Sequence, residues 1–292
     1  MNNRMTLGGA SVTRVLETQI QMRTSLFADT PAQAWADNAD LLKPHFWDRD
    51  AEQWRIAMQS WVVEVDGLIV VVDTGVGNDR ERPHMPPLDH LSTDFLTAFG
   101  EAGFDPADVD IVVNTHLHTD HVGWNTQLVD GRWVPTFPNA RYVMPEADYR
   151  FFGPGGDGEN DGMRTVLADS VIPVTEQTQL WSDDLQLSAS LRLRPAAGHT
   201  PGSSVLWLDA GSPAVFVGDL THCPIQIRRP DDACAFDVDA AAARGTRRRV
   251  FTEAAQAHAT VFPAHYPGHG GPVIVARDNE FDVSAWAPLD AI

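Results

Sequence analysis

The sequence predicts an α/β protein built as a layered sandwich, and three observations carry that expectation. A hairpin of β-branched residues occupies the first half, an amphipathic helix follows it, and the second half repeats the alternation of strands and helix. The hairpin is SWVVEVDGLIVVVDTG (60–75), two valine-rich runs on either side of Asp66-Gly67, a dipeptide that accepts the positive φ values of a type I′ turn. It ends at Asp73. In LDHLSTDFLTAFGEAGF, Leu88, Leu91, Phe95 and Phe99 recur at helical spacing and Gly103 offers a C-cap, so a helix is predicted from Leu88. DVDIVVNTH supplies a short buried strand. In the second half LSASLRLRPA, SSVLWLDAG and PAVFVGDL read as strands, DAAAARGTRRRVFTEAAQAHA as a helix and TVFPAH as a final strand.

Two segments fall outside this alternation. Residues 20–60 carry Phe27, Trp35, Phe46, Trp47 and Trp54 between helix-like pieces such as TPAQAWADNADLL, with little strand character, and read as a lid, a dimer contact or core. FFGPGGDGENDG (151–162) reads as a mobile surface loop. No repeat or low-complexity tract divides the chain, and 292 residues at 43% apolar content suit one domain over 1–292 with a substantial core.

Charge and punctuation narrow the function. With 40 acidic against 21 basic residues the net charge is −19, spread along the sequence, so the surface repels phosphate backbones and nucleic acid is not an expected partner. No secretory h-region and no run of 18 apolar residues occurs, which excludes a membrane span and makes the cytoplasm the expected location. Cys223 and Cys234 are too few for a disulfide framework and are expected to be reduced, structural thiols.

The chemistry concentrates in VVNTHLHTDHVGWN (112–125). His116 and His118, two residues apart at the end of a strand, can share one face, and Asp120 and His121 on the following turn can reach a second point close by. Imidazole and carboxylate together suit Zn²⁺, Fe or Mn better than Ca²⁺ or Mg²⁺. AAGHTPGSS places His199 in a glycine-flanked loop, and AVFVGDLTH leaves Asp219 at the end of an apolar strand, a costly place for an unpaired carboxylate. FPAHYPGHGG offers His265 and His269, of which His265 is nearer the strand end.

H-x-H-x-D-H, then G-H-T-P-G, then G-D and a late histidine, with V-D-T-G upstream, together resemble the metallo-β-lactamase superfamily over about residues 60–270. That resemblance implies an αββα sandwich with a dinuclear centre at one edge of its sheets. His116, His118 and His199 would hold one metal, Asp120, His121 and His265 the other, with Asp219 bridging them and Asp73 supporting a ligating histidine from behind. Two divalent ions per chain are implied, zinc foremost, with iron, manganese and cobalt compatible. Classical zinc β-lactamases often place cysteine near Asp219, ribonuclease members carry basic surfaces, and flavodiiron members attach a flavin domain; this chain shows none of these. HVGWNT, GDLTH and HYPGHG are most similar to small-ester hydrolases, the acyl-homoserine lactonases and methyl parathion hydrolase. His222 stands where some lactonases carry tyrosine.

The expected reaction is hydrolysis of a lactone or carboxylic ester by a hydroxide shared between the metals, roughly 3.5–4 Å apart. Asp120 would orient the nucleophile and His222 donate to the substrate. An aromatic lid of Phe27, Phe46 and Trp47 would favour an apolar acyl or aryl group, with Trp124 and His269 as further pocket candidates, and the same N-terminal aromatics could support a homodimer. Organophosphate triester hydrolysis at the same site and a ligand-binding member without turnover are the alternatives. An iron-dependent thiol oxidation is disfavoured, since it uses a mononuclear site.

Overall fold

The computed structural model describes residues 2–278 and 280–292. In chain order the first half supplies β1 (Arg4–Leu7), β2 (Ala10–Arg23), β3 (Trp47–Asp48), β4 (Gln53–Val65), β5 (Leu68–Val72), β6 (Ile111–Val113), β7 (Thr126–Val129), β8 (Arg132–Pro135), β9 (Arg141–Pro145) and β10 (Thr178–Trp181). The second half supplies β11 (Leu185–Gln186), β12 (Leu191–Pro195), β13 (Ser204–Asp209), β14 (Pro213–Gly218), β15 (Thr260–Pro263), β16 (Pro272–Arg277) and β17 (Glu280–Trp286). Among the described residues these form an eight-stranded sheet ordered β1-β2-β4-β5-β6-β9-β10 with β3 beside β4, a seven-stranded sheet in chain order from β11 to β17, and the small hairpin β7-β8. The helices used below are α1 (Ala32–Asp37), α2 (Ala39–Leu42), α3 (Phe95–Glu101), α4 (Thr119–Val122), α5 (Glu146–Phe152), α6 (Asp161–Val166), α7 (Ile225–Arg228) and α8 (Ala240–Ala257).

Side-chain alternation on the strands builds the layers. On β5, Val70 and Val72 join the core between the sheets, where Val12, Trp61 and Val63 meet Leu193, Leu206 and Phe216. Val71 points the other way, to Phe95 and Phe99 of α3 and Phe152 of α5. On the far side Val205, Val215 and Val261 pack under Val250, Phe251 and Ala254 of α8. The order is helix, sheet, sheet, helix, as expected. β14 and β15 are parallel and joined through α8, the crossover such a pair requires. The predicted hairpin turn is present, with Asp66 at φ 54° and Gly67 at φ 77°.

Four expectations need correction. First, residues 20–60 are not poor in strand: β2 and β4 pair from Ser11 opposite Glu64 to Arg23 opposite Gln53. Polar residues alternate with Ile20 and Met22 in TQIQMR, which hid a strand whose apolar side faces a cavity. Second, the aromatics of this segment are core rather than lid. Phe27 meets Trp35 and Trp54 edge-on at 5.6 and 5.1 Å, and Phe46 and Trp47 lie in the same buried cluster. Third, the helix predicted from Leu88 begins at Phe95, because His90 takes a φ of 49° and Leu88 closes a separate 3₁₀ turn. Fourth, the segment 151–162 is more structured than a surface loop: Phe151 and Phe152 end α5, and Asn160 caps α6 by accepting from Met163 N at 3.0 Å.

Candidate metal centre

The site forms where strands of both sheets end. The turn after β6 delivers His116 to His121, the loop after β12 delivers His199, and the ends of β14 and β15 deliver Asp219 and His265. Gly218 precedes Asp219 at φ 49°, and a Cβ there would lie 2.4 Å from Thr115 Oγ1, so glycine lets the two sheet edges close on each other.

The seven motif residues meet in two groups: His116, His118, His199 and Asp219, and beside them Asp120, His121 and His265. His118 Nδ1 lies 3.1 Å from His116 Nε2 and 3.0 Å from His199 Nε2. Asp219 Oδ2 faces this trio, 3.3 Å from His199 Nε2. Its other oxygen, Oδ1, faces the second trio, 2.9 Å from His265 Nε2 and 3.2 Å from His121 Nε2. Asp120 Oδ2 completes that trio 3.4 Å from His265 Nε2. His121 Nε2 and Asp219 Oδ1 are buried yet make no aligned hydrogen bond among the described residues. Donor atoms that converge without pairing suit a cation better than a hydrogen-bond network, so the residues fit divalent metal.

Three of these imidazoles, those of His121, His199 and His265, are oriented from behind. Asp73 accepts from Thr115 N at 2.7 Å and Thr115 Oγ1 at 2.8 Å, and its Oδ2 lies 2.9 Å from His121 Nδ1. His199 Nδ1 meets Asp237 at 3.1 Å and His265 Nδ1 meets the Ala57 carbonyl at 2.9 Å. Burial and neighbouring rings push His118 down to about 3 and hold His116 well below its usual range, which keeps both neutral. Burial also acts on His121, but Asp219, Asp73 and Asp120 outweigh it and raise its pKa. Burial likewise opposes charge on Asp219, yet His121, His265 and His222 hold it well below the usual carboxylate range.

Above the centre lies a cavity of about 280 Å³. Ile20, Met22, Ile56 and Met58 from β2 and β4 form one wall, Phe152 and Met163 another, and Met85 and Phe236 complete it; His84 and Asn160 add polar edges. Asp120, His199, Asp219, His222 and His265 form its floor. His222 is 1% exposed rather than a solvent-facing loop residue, with Nε2 3.2 Å from Asp219 Oδ2.

Three pocket expectations are corrected here. Trp124 stacks on Phe95 at 5.2 Å, donates its indole N–H to Glu17 at 2.7 Å and lies outside the cavity lining. Phe27, Phe46 and Trp47 also lie outside it, since the core under the second sheet absorbs them. His269 lines a different hollow with His45 and Trp286, its Nδ1 on the Leu289 carbonyl at 2.7 Å.

Sequence reasoning passed over several acids behind the site. Glu17 Oε2 accepts from Val76 N at 2.6 Å and Oε1 from Gly77 N at 2.9 Å, and burial raises its pKa to about 7. Asp148 joins the two motif loops, accepting from Leu117 N at 3.0 Å, Gly202 N at 2.6 Å and Thr200 Oγ1 at 2.8 Å. Asp237 orients His199. None stands in a motif, and each becomes visible only when its partners arrive from elsewhere in the chain.

Residues 58–278 match the metallo-beta-lactamase superfamily. The chain belongs to that superfamily. It is 45% identical over 110 residues to the N-acyl homoserine lactonase AttM of Rhizobium radiobacter, a match covering 36% of this chain and 37% of AttM. The alignment thus spans little more than a third of that relative. Two solved structures superpose on the whole fold: AidC, a dizinc quorum-quenching lactonase in complex with a product, at TM-score 0.80 and 19% identity, and the hydrolase AbOPH at TM-score 0.81 and 23% identity. Each comparison covers 100% of this chain and 98% of the other.

Proposed function

We propose that this protein is a dinuclear metal-dependent hydrolase of a small neutral ester, a lactone or carboxylic ester with an apolar acyl group. The observation that carries the reading is Asp219, whose two oxygens face two separate trios of donors on the floor of an apolar cavity. Two divalent ions, when bound, would supply Lewis acidity that lowers the pKa of a shared water and polarises the substrate carbonyl. His116, His118 and His199 would hold one ion, Asp120, His121 and His265 the other, and Asp219 both.

The chain's own residues do the rest. Asp120 keeps part of its carboxylate open to the cavity, 14% exposed, where it can accept a proton from the attacking water and orient it. His222 faces the same space beside Asp219 and Cys234, and among the described residues neither ring nitrogen makes an aligned hydrogen bond, so its N–H can turn to the substrate carbonyl or the leaving oxygen. Ile20, Met22, Ile56, Met58 and Met163 offer flexible apolar walls and no charge, which suits an acyl chain and disfavours an anionic substrate. The lactonase named among the relatives and the product-bound lactonase of the same fold put lactones first. The test is metal stoichiometry by mass spectrometry on protein assayed against lactones, aryl esters and phosphotriesters, before and after chelation. Two ions per chain and chelator-sensitive lactone turnover are expected. Two ions with no turnover of any ester would overturn the hydrolase and leave a ligand-binding protein.

A further inference from the structure

A buried arginine reaches the candidate centre from outside the set of donor residues. Arg82 is fully buried and gives Nη1 and Nη2 to the two oxygens of Asp169 at 2.8 and 2.9 Å. Its Nε donates to Thr119 Oγ1 at 2.5 Å. The Asp169 carboxylate is itself fixed, by Ser170 Oγ at 2.5 Å and by Arg80 Nη1 at 3.2 Å. Arg80 is anchored in turn on the Thr126 carbonyl at 2.6 Å, on the Gly123 carbonyl and over the Trp133 ring at 3.8 Å. Charges this deep are kept only where every member is paired. The result is a rigid post whose free end is one N–H aimed at Thr119.

Thr119 opens α4, the single turn that carries Asp120 and His121. The far end of that turn is fixed independently, because the His121 carbonyl accepts from Thr74 N at 2.9 Å and Asn114 Nδ2 at 2.8 Å. At the near end, among the described residues, the hydrogen-bond partner of the Thr119 hydroxyl is Arg82. No backbone amide or hydroxyl among the described residues donates to the Asp120 carboxylate, unlike His116, His121, His199 and His265, which have partners behind their rings. The placement of Asp120 therefore follows its backbone. That backbone is tied through Thr119 to Arg82. The same stretch of chain carries Met85 into the cavity wall.

We infer that Arg82 is a positioning residue: held by Asp169, it sets through Thr119 where Asp120 stands in the second donor trio. The inference rests on the dinuclear reading above and concerns one half of it. Its signature is unequal loss between the two ions: His116 and His199 have no link to this post, and His118, although it precedes Thr119 in the chain, follows Leu117, whose N–H is held by Asp148 at 3.0 Å, while Asp120 lies on the turn that Thr119 opens. Loss of an orienting contact behind a ligand lowers metal affinity or activity by about 10- to 100-fold.

The test uses metal-free full-length chain titrated stepwise with zinc by calorimetry, followed by steady-state kinetics on the strongest substrate of the panel. Thr119→Val removes the acceptor with little change in shape, and Thr119→Ser restores it. Arg82→Lys keeps the charge but loses the fork that spans Asp169 and Thr119. For Thr119→Val we expect the affinity for the second zinc to fall about 10- to 100-fold while the first changes less than about threefold. We expect kcat to fall by a similar factor with KM nearly constant, and Thr119→Ser to recover both. A purely structural contact would lower the melting temperature of Thr119→Val and leave both zinc affinities and kcat as in the parent; that result overturns the inference even if Arg82→Lys fails to fold. Equal weakening of both ions also overturns it. If the parent chain itself takes up fewer than two ions, the dinuclear reading fails first.

Discussion

Glu17 gives the sharpest quantitative prediction, because its carboxylate is buried against two backbone amides and an indole and, among the described residues, forms no ion pair. The substitution is Glu17→Gln. Burial raises the carboxyl from 4.5 to about 7, opposed by the N–H groups of Val76, Trp124 and Gly77. The unfolded chain releases this proton first, so between those two values the folded state holds it more tightly, and stability falls as pH rises. The contribution is whole below the unfolded value and gone above the folded one, a span of about 3 kcal/mol. About 2 kcal/mol of that lies between pH 5.5 and 8. Glutamine carries no such proton. Its amide can serve Gly77 and Trp124 through oxygen, but its NH₂ then faces the Val76 N–H, a pH-independent loss of about 1–3 kcal/mol. Denaturant midpoints of both proteins, with chelator at the two pH values, give a double difference. The variant should gain about 2 kcal/mol on the parent from pH 5.5 to 8. A difference that stays constant, or moves the other way, refutes the assignment of a raised carboxyl.

Three further outcomes follow from the site. Trp124→Phe should cost about 1–2 kcal/mol in denaturant unfolding through the lost donor to Glu17 and leave KM unchanged, because the ring lies outside the cavity. Asp237→Ala should weaken zinc at the His116, His118 and His199 trio about 10- to 100-fold in chelator competition, since His199 loses its orienting carboxylate. Met22→Trp should raise KM for decanoyl esters far more than for butanoyl esters, since it fills the wall built by β2; equal KM changes would move the acyl chain elsewhere.

Legibility in the sequence followed how local each signal is. His116, His118, Asp120 and His121 fall within six positions, so strand geometry foretold a shared face for His116 and His118, and the turn after them brought Asp120 and His121 close by. The hairpin at Asp66-Gly67 was equally local. Glu17, Asp148, Asp169 and Asp237 were invisible because a lone acid acquires meaning only from partners, and theirs lie between 1 and 107 positions away. The aromatics failed for a related reason: composition marked Phe27, Phe46 and Trp47 as important, but nothing local said whether they face a cavity or a sheet. The cavity wall instead came from Ile20 and Met22, whose alternation with glutamines masked their strand.

The division of donors between the sheets has an energetic consequence. His116, His118, Asp120 and His121 come from the first half of the chain, and His199, Asp219 and His265 from strands and loops of the second sheet. No donor trio is complete within one half unless the sheets are docked: the first lacks His199, the second lacks His265, and both lack Asp219. Ions held there bind the folded chain and hardly the unfolded one, so their affinity adds to the cohesion of the two sheets. With free zinc at about 1,000 times Kd, each ion adds about 4 kcal/mol, and each kcal/mol moves the melting temperature of a chain of this size by about 2–4 °C. Chelated protein should therefore melt at least about 10 °C below zinc-loaded protein. His199→Ala should remove roughly half of that difference, on top of a loss of about 1–3 kcal/mol from the chelated protein because the buried Asp237 is left without its imidazole partner. If loaded and chelated protein melt together, the donors across the two sheets do not hold ions, and the hydrolytic reading falls with them.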